Sequence, residues 1–192
     1  MKKAWLPLAL TLAFNLNPAA AADDDLAKFQ DDSRKIVKEL ATQLGGKLQS
    51  ELKANGPAST IKVCKDIAPA MLSEMSRKTG QRITRVSQKV RNPLLGTPDA
   101  WEQKVLADFE KRLEKEKPGM LEFAEVVSEP QGKYLRFMKA IPVQGACLDC
   151  HGGSDALDPS VKETLKAEYP HDKATGYTLD QIRGAFSFKK AL

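Results

Sequence analysis

The sequence predicts one α+β domain with an antiparallel sheet. Helical periodicities fill the first half of the chain, whereas the second half consists mostly of strand-like segments with short local connections. This order is typical of α+β domains and not of alternating parallel folds. Removal of an N-terminal leader leaves 170 residues, enough for one domain with a sizeable core. We therefore expect a single domain over residues 23–192.

The first 22 residues have the pattern of a secretory signal peptide. Met1–Lys3 precedes an uncharged apolar run from Ala4 to Phe14, and Ala20-Ala21-Ala22 stands before Asp23. The run is too short to span a bilayer, which takes about 20 residues, and the alanine triplet fits a cleavage site. We expect cleavage after Ala22 and export to the periplasm; a retained anchor is the alternative.

Charge and hydropathy exclude two classes of partner. The formal charge is +5, and removal of a leader with two lysines and no acidic residue leaves +3, with signs alternating along the chain. This is not the pattern of a nucleic-acid-binding surface. No later segment approaches 18 uninterrupted apolar residues, so we expect no membrane span in the mature form.

Two helical patterns begin the domain. The first runs from Asp25 to about Leu52 and ends at Asn55-Gly56-Pro57. The second runs from about Ala58 to Lys78 and carries Cys64 on its buried face. Pro69 lies inside it and should bend the helix or divide it in two.

The middle of the chain predicts a strand, a loop and a helix. Residues 81–89 alternate in a way that is compatible with a strand. Arg91-Asn92-Pro93 begins a loop, after which Thr97 can cap a helix with Pro98 at its first position. Apolar residues continue this helix to Leu113.

Strand-like segments dominate the remainder. Residues 121–128 and 133–143 are joined through Glu129–Gly132 and predict a hairpin. A short helix from about Asp158 to Ala167 and a last strand from Gln181 to Lys189 follow.

The segment CLDCH, directly after the hairpin, carries the chemistry. Cys147 and Cys150 stand three positions apart, as the two vinyl groups of a haem require, and His151 is placed to reach the iron. Thioether bonds form outside the cytoplasm, which agrees with the leader. We therefore expect one covalent haem c, with His151 as the proximal ligand.

Two other chemistries are considered for the cysteines. Cys64, Cys147, Cys150 and His151 make a Cys₃His set for zinc, but adjacent ligands would strain a tetrahedral site. A thioredoxin-like pair should begin a helix, and Gly152-Gly153 oppose this. Three cysteines also cannot form a simple disulfide framework.

The sixth position of the iron has several candidates. Methionines more often fill cores than bind metals, and His171 lies in a loop that should be at the surface. Cys64 is an unpaired thiol near a helix start, with Lys62 and Lys65 favouring its thiolate; a small buried hydrophobe is the alternative. The candidates are Met71, Met75, Met120, Met138, His171 and Cys64.

The sequence resembles a known family over nearly all of its mature length: the single-haem c-type sensor domains with a PAS-like fold, long catalogued only as a domain of unknown function. The segments that carry the resemblance are Ile61–Cys64, Ala68-Pro69, Arg85–Ser87, Arg91–Pro93, Pro98–Glu102, Ala140–Val143, Cys147–Gly152 and Ile182–Ala185.

The resemblance implies a PAS-like antiparallel sheet with the N-terminal helices packed on it, and one covalent haem. It also implies iron ligation by the motif histidine and a cysteine of the early helical region, which are His151 and Cys64 here. Cys147, Cys150, His151 and Cys64 are then the cofactor-binding residues. Independently of the resemblance, Arg91 could pair with a haem propionate; the alternative is that it caps the loop before Asn92-Pro93.

A His/Cys ligand set implies a low-potential centre, because thiolate favours ferric iron. Loss of Cys64 on reduction would open a site for CO or NO. We expect a redox or diatomic-gas sensor module, and the alternative is a soluble low-potential electron-transfer cytochrome c. No catalytic set is present, so we expect no enzyme. We also expect no fused output domain, so the partner is a separate redox or signalling protein.

Overall fold

The computed structural model describes residues 18–192, so most of the predicted signal peptide lies outside the described residues. The described helices are α1 (Pro18–Asn55), α2 (Pro57–Lys62), α3 (Ala68–Thr79), α4 (Pro93–Gly96), α5 (Ala100–Arg112), α6 (Leu148–His151) and α7 (Pro159–Glu168). The strands are β1 (Arg82–Val86), β2 (Glu122–Glu129), β3 (Gly132–Pro142) and β4 (Ile182–Ala191). The backbone is π-helical over Val63–Ile67, and 3₁₀ turns cover Pro118–Met120 and Gly145–Cys147.

The four strands form one antiparallel sheet in the order β1-β4-β3-β2. Strands β2 and β3 are a hairpin whose register ends with Glu129 opposite Gly132. Strand β4 lies between β3 and β1 and pairs with both. The predicted α+β class, hairpin and last strand are confirmed.

Each face of the sheet buries its own apolar cluster, as alternation along the strands requires. On one face, α1 and α3 cover side chains that include Phe137 and Phe188, both fully buried. On the other face, α5 places Phe109 against Met138. Burial of such side chains stabilises the fold by about 1.5–3 kcal/mol each.

Arg136 is a buried charge on the face that α5 covers. Its guanidinium contacts Asp99 at 2.7 Å, Glu102 at 3.3 Å and Glu129 at 3.4 Å. Ser187 also donates to Glu102, at 2.6 Å. This network attaches the start of α5 to the sheet.

The start of α5 differs from the prediction. The N-cap is Asp99 and not Thr97: the Asp99 carboxylate accepts from the Glu102 N–H, and the Glu102 side chain accepts from the Asp99 N–H. This reciprocal pair satisfies two otherwise unpaired donors. Thr97 instead donates its hydroxyl to the Pro93 carbonyl and closes α4, a short helix that was predicted as loop.

Pro69 divides the second helical region, as predicted. Because proline has no N–H and crowds the carbonyl four residues earlier, the turn before it widens, and the Ala68 N–H bonds to the Val63 carbonyl five residues back. Cys64 lies in this widened turn. Within residues 18–192, no helix is long and apolar enough to cross a bilayer.

Candidate functional site

A cavity of about 320 Å³ lies where β1 and β4 meet the π-helical turn, α3, α4 and the end of CLDCH. Its volume falls at the lower end of the range of ligand pockets. Apolar side chains form much of the wall, and polar groups enter it from several sides. The lining includes Cys64, Pro69, Leu72, Ile83, Arg85, Val86, Ser87, Val90, Arg91, Leu95, Ile141, His151, Tyr169, Arg183 and Gly184.

His151 enters the cavity as a neutral imidazole in a defined orientation. Its Nδ1 lies 2.6 Å from the Ala174 carbonyl oxygen, which can only accept, so Nδ1 carries the proton. Burial, with the charges of Arg183 and Arg91, lowers the pKa of His151 to about 2. Nε2 is therefore the acceptor nitrogen of the ring, and Arg183 Nε donates to it at 3.4 Å, a hydrogen bond that a metal ligand would have to replace.

Hydrogen bonds also fix the backbone on either side of His151. Tyr177 donates its N–H to the His151 carbonyl at 2.9 Å, and the Gly152 N–H bonds to Leu148 at 2.9 Å. A Cβ at Gly152 would lie 2.6 Å from the Leu148 carbonyl oxygen, a distance that side chains do not tolerate. Glycine after the histidine is therefore required by the close turn of the chain.

Cys64 lines the same cavity as His151. The predicted buried face needs correction, because the Cys64 side chain is only half-buried. The side chain is partly exposed because this part of the π-helical turn lines the cavity. His151 and Cys64 thus come together at one site from segments 87 positions apart in the sequence.

The other candidates for the sixth ligand do not line this cavity. Met75 and Met138 are buried in the two sheet clusters, and Met71 packs against the first of them. Met120 is 68% exposed, and His171 is exposed as predicted. Among the six candidates, all of which the structure describes, Cys64 is the one that shares the cavity with His151.

Cys147 and Cys150 are not among the residues that line the cavity. Cys147 packs beside Val143, and its Sγ accepts from the Gln144 N–H at 3.4 Å. Cys150 Sγ lies 3.7 Å from Thr60 Oγ1, and burial raises the pKa of its thiol. The three cysteines are free thiols. In the described part of the chain, no three His, Cys, Asp or Glu side chains converge as a metal cluster would require.

Arg91 is a structural cation. It is buried, and its Nε donates to Asp172 at 3.0 Å. Its Nη2 donates to the carbonyls of Cys150 at 2.6 Å and Ala174 at 3.3 Å. Arg91 therefore holds CLDCH against the 172–174 segment, and its charge is already matched, which does not favour the expected propionate contact.

Two cavity arginines were not predicted as site residues. Arg85 lies on β1 and Arg183 on β4, and both line the cavity. Arg183 donates to Ser87 Oγ at 2.9 Å and to the Lys89 carbonyl at 3.2 Å. Burial lowers the pKa of both guanidinium groups. In the sequence, each arginine stands next to an apolar residue of a predicted strand, which indicates that it lies near the core. The sequence does not show that these two strands pair and bring the arginines into one cavity.

The donor set suits a haem. A neutral imidazole, a thiol, cationic side chains and apolar walls are what axial ligation, carboxylate binding and ring burial require. Cys147 and Cys150 lie beside the histidine in the attachment spacing. The residues present therefore fit this group.

Comparisons with known proteins place these observations in context. The sequence model of the Tll0287-like family, described as Tll0287, matches residues 16–190. A search of curated proteins finds no significant match. Among solved structures, the chain is similar to the cyanobacterial heme-protein Tll0287, with a TM-score of 0.66 and 20% sequence identity. The alignment covers 85% of this chain and 95% of that one, and at this identity it shows a common fold.

Proposed function

The chain belongs to the Tll0287-like family, and from this premise we propose that it is a periplasmic c-type haem protein that acts as a redox or diatomic-gas sensor module. In this proposal a PAS-like domain carries one haem c, attached through Cys147 and Cys150. His151 and Cys64 are the axial ligands of the iron. The protein is exported by its N-terminal signal peptide, catalyses no reaction itself and passes its signal to a redox or signalling partner.

One observation carries the proposal: His151 and Cys64 line one cavity, and the imidazole is already oriented for metal binding. Its Nδ1–H is bonded to the Ala174 carbonyl, the arrangement that fixes the tautomer of metal-binding histidines. Nε2 therefore needs no change of protonation to bind a metal, which would take the place of the hydrogen bond from Arg183 Nε. A related structure described as a heme-protein adds support.

When bound, haem supplies a one-electron iron couple whose potential is lowered by thiolate ligation. The residues of the chain then decide whether ligation can change. His151 is held by side-chain and backbone bonds. Cys64 instead lies in a π-helical turn next to a proline, where the regular hydrogen-bond ladder is interrupted.

This asymmetry favours a sensor over an electron carrier. A rigid histidine and a cysteine on an irregular turn allow one ligand to leave while the other stays. Release of Cys64 upon reduction would leave room on its side of the cavity for CO or NO. A carrier would instead require fixed ligation in both oxidation states, because reorganisation slows electron transfer.

The first experiment asks whether haem is present and held by His151. The full chain is co-expressed with the cytochrome c maturation machinery and purified from the periplasm. We expect a Soret band and a pyridine haemochrome spectrum typical of thioether-linked haem. His151→Ala should abolish the low-spin spectrum, whereas His171→Ala, which changes the exposed histidine, should not. A colourless wild-type protein contradicts the proposal.

The second experiment tests Cys64. Cys64→Ser should replace the low-spin ferric thiolate EPR signal by another spectrum and raise the reduction potential, while Met71→Leu on the adjacent helix should change neither. An unchanged low-spin signal in Cys64→Ser removes Cys64 from the iron. In the wild type, CO binding only after reduction supports the sensor, and identical ligation in both oxidation states supports the electron-transfer cytochrome.

A further inference from the structure

The cavity contains more positive charge than the protein neutralises. Arg85, Arg91 and Arg183 all line it, and no aspartate or glutamate of residues 18–192 is among the lining side chains. Asp172, immediately behind the wall, is bonded to Arg91 at 3.0 Å. Among the described residues, Arg91 is therefore in an ion pair, whereas Arg85 and Arg183 are not.

Arg85 is the clearer of the two. In the described part of the chain, Arg85 is in no ion pair, and the groups whose charges act on its guanidinium are Cys64 and Tyr169, neither of which is a carboxylate. The side chain is half-buried and lines the cavity, and burial lowers the pKa of its guanidinium. A desolvated cation without a partner is costly, so such groups normally meet an anion.

Arg183 is held in place by hydrogen bonds but forms no ion pair with a carboxylate of the described residues. Its Nη1 donates to Ser87 Oγ and the Lys89 carbonyl, both uncharged acceptors. Its Nε donates to His151 Nε2 at 3.4 Å, and this hydrogen bond would be lost if Nε2 bound a metal. Loading of the site would thus free a donor of Arg183 for another acceptor.

We propose that Arg85 and Arg183 bind the two propionate carboxylates of the haem, and that Arg91 is a positioning residue for CLDCH. This inference rests on the proposed function. The two arginines without an ion pair match the two negative charges of the propionates. The negative charge of a Cys64 thiolate would be cancelled separately, because the ferric porphyrin core carries one positive charge. Arginine suits the task because its fork of donors matches a carboxylate.

The test uses the loaded full-length protein and four variants. Arg85→Met removes the charge at similar size, Arg85→Lys keeps it, and Arg85→Gln keeps a donor without charge if the methionine variant fails to mature. Arg82→Met is the matched control, because Arg82 is an exposed arginine on the same strand. The readouts are the propionate bending mode in the resonance Raman spectrum and the reduction potential.

In Arg85→Met, we expect the propionate bending mode to shift downward and the potential to fall, with the His/Cys ligation spectrum preserved. Arg85→Lys should lie nearer to wild type in potential, and Arg82→Met should match it in both readouts. A propionate mode unchanged in both Arg85→Met and Arg85→Gln, on a normally ligated haem, overturns the inference and leaves the proposed function intact. Absence of haem from the wild type overturns both.

Discussion

Replacement of Arg91 by leucine tests whether this arginine maintains the architecture of the site. The side chains of Arg91 and Asp172 are only 8% and 9% exposed and form an ion pair at 3.0 Å. Arg91 also donates to the carbonyls of Cys150 and Ala174. Arg91→Leu removes all three interactions and leaves Asp172 buried without its cation.

The expected cost is large. Removal of one partner of a buried ion pair costs about 3–5 kcal/mol, mostly because the other charge stays uncompensated. The lost donors to two carbonyls act in the same direction. Since native domains are stable by about 5–15 kcal/mol, Arg91→Leu should lose a large part of the free energy of unfolding. Arg91→Leu/Asp172→Leu should lose less, because no charge is left buried.

The assay is urea unfolding of the loaded protein, followed by far-UV circular dichroism and by the Soret band. Coincident transitions would justify a two-state free energy, and the double-mutant cycle then isolates the Arg91–Asp172 term. A loss below about 1 kcal/mol in Arg91→Leu would refute the structural role given to the pair. So would a double variant as unstable as the sum of the two single ones.

Three further predictions concern the scaffold. Gly184 has φ +158°, and a Cβ there would lie 2.3 Å from the Val86 carbonyl oxygen; Gly184→Ala should therefore destabilise the protein by at least about 1–3 kcal/mol in thermal unfolding. Gly46→Ala, in open space on α1, should instead stabilise it by about 0.5–1 kcal/mol, and destabilisation by both would contradict the steric reasoning. Burial alone would raise the pKa of Glu122, but hydrogen bonds from Arg34 and Lys139 lower it below its ordinary value of 4.5. Glu122 therefore contributes stability above pH 4.5 that is lost as the pH falls further. Glu122→Gln should lower the free energy of unfolding by about 1 kcal/mol at pH 7 and should make that free energy less dependent on pH in the acid range. An unchanged dependence on pH in the acid range would show that Glu122 does not cause it.

The features predicted from the sequence are those that depend on local patterns. Helix α1, the β2–β3 hairpin and strand β4 are confirmed because apolar periodicity and turn residues act over a few positions. The division of the second helix at Pro69 is confirmed for the same reason. The cap of α5 was assigned to Thr97 because both Thr97 and Asp99 are good capping residues, and only the reciprocal bond with Glu102 separates them.

The sequence predicted His151 and Cys64, which the structure places in one cavity, but not the charges that surround them. CLDCH indicated His151 by its spacing, and Cys64 came from an odd thiol count together with a resemblance. The contact of Arg91 with Asp172 joins residues 81 positions apart, and Arg85 enters the same cavity as Arg183 only because β1 pairs with β4. Such long-range pairings have no local signal in a single sequence.

The sheet order has a consequence for maturation. Strands β1 and β4 pair although most of the domain lies between them in the sequence. Because closing so long a loop costs much conformational entropy, we expect this pairing to form after the helices and the β2–β3 hairpin during folding. The wall that β1 contributes therefore closes late. In the proposed function, the cysteines of CLDCH would stay accessible from the side of β1 to the enzymes that make thioether bonds until this wall closes. If haem is attached as proposed, the thioether bonds would form before β1 joins the sheet, and the cavity would close around a haem that is already bound to the chain.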